Sequence, residues 1–158
     1  MNDKIVNADG FSGEYDLQNP QWQGGWFGKT IWDVQSNIKD PFTVCIDGII
    51  YRIDYHIKSD LGSVPRILQE FCPMWFDRAR YPKSFIAHDN IYKTGGIWVA
   101  IWGGWEFQTL TRKEADEFLF RCLLLEGASK ANARTIYFGV RAGGWASWDA
   151  KKQKKERK

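Results

Sequence analysis

The sequence predicts an α+β fold: an antiparallel β-hairpin, the start of a small sheet, followed by antiparallel helices. Three observations predict it. An alternating apolar run folds back on itself at Asp47-Gly48, a capping box opens an apolar-striped helix at Thr111, and Gly pairs at 95–96 and 143–144 close two more helical stripes. A chain of 158 residues with 44% hydrophobic and 26% charged positions suits one globular core, which excludes wholesale disorder, collagen and coiled coil.

In chain order, residues 1–40 mix Gly10, Gly13, Gly24, Gly25 and Gly28 with Phe11, Tyr15, Trp22, Trp26, Phe27 and Trp32 without a sustained period, so an irregular, aromatic-pinned segment is expected. Residues 41–148 form the α+β domain. Its hairpin pairs Phe42–Ile46 with Ile49–Ile57 across a two-residue turn. In the second strand Ile49, Tyr51, Ile53, Tyr55 and Ile57 alternate with Arg52, Asp54, His56 and Lys58, which puts His56 on the wet face. A polar corner, Ser59 to Val64, leads to a short helix from Pro65 to about Phe71, ended by Pro73. A second helix starts near Pro82, carries Phe85, His88, Ile91 and Tyr92 on one stripe and stops at Thr94-Gly95-Gly96. The third runs from the Thr111–Glu114 capping box to Gly127, and the fourth from a Ser129 cap to about Arg141. Between the second and third, a Gly-rich loop carrying Trp98, Trp102 and Trp105 could make a lid or a membrane-contacting rim.

Charge is unevenly placed. The tail, residues 149–158, is read as disordered, and its last eight residues hold six of the 22 basic residues and one of the 19 acidic ones. The remainder therefore carries 16 basic against 18 acidic residues. A basic globular face for nucleic acid is not expected, and contact with nucleic acid or anionic lipid falls to the tail alone. The longest uncharged apolar run, Ile97 to Trp105, is about half of what a spanning helix requires, and no secretory signal is readable at the start. Three scattered cysteines, Cys45, Cys72 and Cys122, argue for reduced thiols and against structural zinc. The expected location is the cytoplasm of the producing cell.

One constellation suggests chemistry. Asp116 shares its helical stripe with Leu119, Phe120 and Leu123, so it faces inward and requires a partner. If the second and third helices pack antiparallel, His88 and Asp116 lie about 7.5 and 6 Å from the connecting ends, at 1.5 Å per residue. They are level, and a carboxylate there fixes the tautomer of the imidazole, leaving its other nitrogen as a base for water. Asp89 sits about 100° round the helix from His88, suited to a hard cation beside the base. Asp60 and the Gly62 corner are the further oxygen donors for calcium, provided that corner folds against the helix.

The segments Ser59-Asp60-Leu61-Gly62-Ser63-Val64-Pro65-Arg66, Ala87-His88-Asp89-Asn90-Ile91-Tyr92 and Glu114-Ala115-Asp116-Glu117-Phe118 resemble, in order, a family of short phage and prophage proteins known only as a domain of unknown function, family 1353. The resemblance covers about residues 40 to 145 and brings no activity with it. It implies a phage origin, with the protein in the host cytoplasm or packaged in the virion. A second resemblance does bring chemistry: His88-Asp89-Asn90-Ile91-Tyr92 with the later Asp116 is similar to the helix pair of phospholipase A2, particularly its cysteine-poor parvoviral form. That likeness implies His88 as general base, Asp116 as its orienting acid, Asp89 as a calcium ligand, and calcium with a backbone amide stabilising the oxyanion. The Gly-rich calcium loop of the secreted phospholipases is absent as such, and Asp60 to Ser63 would have to replace it.

Each residue also has a plainer reading. His88 can be a core histidine satisfied by Asp116, Asp89 an exposed helix residue, and Tyr92 a core aromatic whose hydroxyl reaches the surface. Ser63 can be a helix cap, and Asp60 can close an Asx turn. A Ser63-His88-Asp116 triad lacks the Gly-x-Ser-x-Gly elbow. Three functions follow: a calcium-assisted hydrolase of esters such as phospholipid, a non-enzymatic virion or assembly protein gripping another phage protein, or a peptidoglycan-directed lysis accessory. With two histidines and no His-Glu-x-x-His, a zinc version of the last is poor.

Overall fold

Asp47 and Gly48 both adopt positive φ, 52° and 76°, the combination that matches a two-residue turn to the twist of its strands. In the computed structural model, which describes residues 9–23, 29–59, 80–146 and 148, two antiparallel sheets and three helices make an α+β fold. The strands are β1 (Gly10–Ser12), β2 (Tyr15–Gln23), β3 (Lys29–Ser36), β4 (Thr43–Ile46), β5 (Ile49–Arg52), β6 (His56–Ser59), β7 (Gly96–Ile101) and β8 (Gly104–Thr109). The helices are α1 (Pro82–Thr94), α2 (Arg112–Leu125) and α3 (Lys130–Gly143), followed by a 3-10 turn over Gly144–Ala146. One sheet has the order β1-β4-β5-β7-β8 and the other β2-β3-β6.

Three expectations change. Residues 10–23 and 29–36 are not irregular but hold three strands; β2 is exposed on both faces from Asp16 to Gln21, so no alternation marks it. The long strand from Ile49 to Ile57 is two strands in different sheets. β5 pairs with β4, the chain turns at Ile53–Tyr55, and β6 pairs with β3, placing Val34 opposite Ile57. The corner is held by hydrogen bonds from Ile53 N to Phe42 O, Asp54 N to Asn90 Oδ1 and Ser36 N to Tyr55 O. Ile53, in the corner, and Ile57, on β6, are buried, while Tyr51 and Tyr55 are only half-buried and Ile49, expected inside, is 46% exposed. The tryptophan-bearing loop is the β7–β8 hairpin. Trp98 and Trp105 turn onto the Arg52 guanidinium, each about 5 Å from it, and only Trp102, at the tip, stands fully in solvent.

The helices form where their ends are satisfied. Pro82 supplies the fixed φ of a first turn and has no N–H to leave unpaired. Tyr81 gives no side-chain cap; instead Glu126, past the end of α2, accepts from Lys83 N at 3.1 Å, Ser84 N at 2.8 Å and Ser84 Oγ at 2.6 Å. α1 ends at Gly95, whose φ of 76° is left-handed and favours a residue without Cβ. α2 opens on the expected Thr111–Glu114 capping box, and Ser129 Oγ accepts from Asn132 N at the start of α3. One core cluster, including Val44, Ile53, Ile86, Ile91, Ile97 and Phe118, lies between sheets and helices. A second, including Phe85, Leu119, Leu123 and Ile136, joins the three helices. Each such fully buried aliphatic side chain stabilises the fold by about 1.5–3 kcal/mol, and together they fix the α1–α2 spacing on which the site depends. The helix expected at 65–71 lies outside the described residues. Among the described residues no helix is long and apolar enough to cross a membrane.

Candidate functional site

α1 and α2 bring His88 and Asp116 to the same level: His88 Nε2 lies 2.9 Å from Asp116 Oδ1. Tyr92, one turn beyond His88 on the same helix face, donates its hydroxyl to the same oxygen at 2.6 Å, and the His88 and Tyr92 rings lie 4.1 Å apart between centroids. The second carboxylate oxygen accepts from Arg141 Nη1 at 2.8 Å. Asp116 is fully buried, with both oxygens satisfied by side chains from α1 and α3.

The electrostatics follow from this packing. Burial pushes the Asp116 carboxyl up, but the hydrogen bonds from His88, Tyr92 and Arg141 outweigh it and hold the group below the usual carboxylate range. Burial first, then the neighbouring Asp116, drives the Tyr92 phenol far above its ordinary value, so it stays a donor. An ionised carboxylate only accepts, so the hydrogen between His88 and Asp116 belongs to Nε2. A neutral ring therefore has its lone pair on Nδ1. The ring side chain keeps 6% of its surface exposed.

The sequence reads Tyr92 as a core aromatic whose hydroxyl reaches the surface; the ring is buried, as that reading requires, but the hydroxyl turns inward to Asp116. Asp89, turned away from the pair, accepts from Ser59 Oγ at 2.5 Å. Ser59 is the last described residue before the Asp60–Ser63 corner. Asp60 and Ser63 themselves lie outside the described residues. Asp89 and the buried Ser59 hydroxyl bring two oxygen-bearing side chains together. Among the described residues no group of three His, Cys, Asp or Glu converges on one point.

Sequence reasoning missed Arg141, Ser59 and Glu126. Arg141 was read only as the approximate end of a helix. The signal that marks it is the unpaired inward carboxylate of Asp116, which demands a cation from a third element. Arg112, at the start of α2, ties that element down by donating to the Arg141 carbonyl at 3.1 Å.

An α+β chain with a buried imidazole–carboxylate pair braced by a phenol and a guanidinium is the class that fold and site define. The chain belongs to a protein family of unknown function, DUF1353, whose model matches residues 37–140. That span contains His88, Asp89, Tyr92 and Asp116 and stops one residue short of Arg141. No curated protein and no solved structure matches the chain.

Proposed function

We propose that the protein is a phage-encoded hydrolase of carboxylic esters, acting on phospholipid, with His88 as general base. The observation that supports this reading is the pairing of His88 Nε2 with a buried, ionised Asp116, which leaves the Nδ1 lone pair directed elsewhere. In the proposed reaction Nδ1 takes a proton from water as the oxygen attacks the ester carbonyl carbon. The tetrahedral adduct then collapses, the carbon–oxygen bond to the alcohol breaks, and the proton on Nδ1 passes to the leaving oxygen. Asp116 stabilises the imidazolium formed between these steps. Calcium, assigned to Asp89 by the phospholipase resemblance and favoured by the Ser59 hydroxyl beside it, would stabilise the oxyanion. The Ile101–Trp102 tip, with Trp102 fully exposed, supplies an apolar contact for a lipid surface, and the basic tail an electrostatic one.

The test compares wild type with His88→Ala on phospholipid vesicles with and without calcium, with circular dichroism confirming the fold. Calcium-dependent release of fatty acid that vanishes in the variant is expected, whereas equal release from both proteins rejects the base. The burial of His88 favours a second reading, in which the same network only clamps helices of a virion or assembly protein. Cofractionation with purified particles, with no hydrolysis under any metal, selects that reading.

A further inference from the structure

The end of α3 and the turn after it close on the site. Arg141 holds one oxygen of Asp116, Trp148 packs T-shaped against the Tyr92 ring with centroids 5.1 Å apart, and Trp148 N donates to Gly144 O at 3.2 Å. Gly144 lies directly over the Tyr92 hydroxyl. A Cβ placed on it would stand 2.6 Å from that oxygen and 3.3 Å from the ring carbons Cε1 and Cζ. The backbone does not ask for glycine there, because φ −74° and ψ −8° are ordinary right-handed values. Helix propensity alone would favour alanine. The neighbouring Gly143 meets nothing within 4 Å of a Cβ, so these two adjacent glycines differ in what they face.

We propose that Gly144 is a positioning residue: its missing side chain makes the space in which the Tyr92 hydroxyl reaches Asp116, and the turn it begins is a clasp that keeps the carboxylate aimed at His88. A methyl group at 144 is accommodated by displacing the phenol tip, whose oxygen is the atom nearest to it. Asp116 then loses one of three donors, and its hold on the His88 Nε2 proton loosens. The consequence for proton transfer from water rests on the base role proposed above, while the placement of the phenol does not.

Proton NMR of the full chain separates the two. In wild type the Tyr92 hydroxyl proton and the His88 Nε2 proton are expected as slowly exchanging downfield signals. Gly143→Ala should leave both unchanged. Gly144→Ala should abolish the hydroxyl signal and speed exchange of the imidazole proton about ten- to a hundredfold, the scale of one lost hydrogen bond to a charged group. Tyr92→Phe should speed it equally, and the double variant Gly144→Ala, Tyr92→Phe should add nothing further. Wild-type signals in Gly144→Ala, or a second step of that size in the double variant, would overturn the assignment. If Gly144→Ala does not fold, recovery of the fold in the double variant supports the clash with the hydroxyl, and a double variant that is also unfolded overturns it. Wild type that hydrolyses no ester while the signals behave as expected removes the hydrolase reading and leaves the clasp.

Discussion

The molecule holds its two histidines in opposite ways. In the smaller sheet, His56 on β6 faces Asp33 on β3 at 4.0 Å with 58% of its side chain in solvent. Between α1 and α2, His88 lies 2.9 Å from a carboxylate that is fully buried and shared with Tyr92 and Arg141. The first is an exposed contact that water replaces readily, typically worth about 0–1 kcal/mol. The second is a network centred on a carboxylate that has no water to fall back on, so removing any donor leaves a buried charge short of a partner. Proximity of His to Asp is common to both; desolvation and a full set of donors separate a chemical candidate from a surface pair.

The largest effect should come from breaking the buried network at its centre. Asp116→Ala leaves an imidazole, a phenol and a guanidinium facing a void, and chemical denaturation should show a loss of about 3–5 kcal/mol. The acid limb sharpens the same contrast. Because Asp116 is held below the usual carboxylate range in the folded chain, its contribution is whole above the unfolded value, about 4, and is lost as pH falls through the depressed folded value. The stability gap between wild type and Asp116→Asn should therefore close as pH falls below about 4; a gap that stays fully open through that range contradicts the assigned shift.

Tyr92→Phe removes one donor to the carboxylate and should cost about 1.5–3 kcal/mol by the same denaturation assay. Glu126→Gln weakens the cap on the first turn of α1, with an expected loss of about 1 kcal/mol. Asp33→Ala comes last: a change in the midpoint equivalent to more than about 1 kcal/mol would mean that the exposed pair is not the weak contact described here.

What the sequence made legible follows from local physics. Asp47-Gly48, Pro82, Gly95, the Thr111 capping box and Ser129 each mark a backbone event within four residues, and each element boundary falls where those residues put it. The level pairing of His88 with Asp116 was legible too, because helical rise is fixed and an inward carboxylate must find a partner. Arg141 and Glu126 were not, since their partners lie 25 and 42 or more residues away and no periodicity announces a charged side chain that turns back. The corner at Ile53–Tyr55 was hidden for another reason: apolar and polar residues alternate in the sequence straight through it, although β5 buries none of its four residues and only β6 buries every second one. β2 was hidden because it is wet on both faces.

The most direct test of the braced imidazole is nitrogen-15 NMR of the two histidines at pH about 9, where ordinary imidazoles are neutral. His88 should carry its proton on Nε2 alone, with Nδ1 bare, while His56 should show the mixed tautomers of an exposed ring. A proton on Nδ1 of His88, or two rings with indistinguishable spectra, would contradict the account.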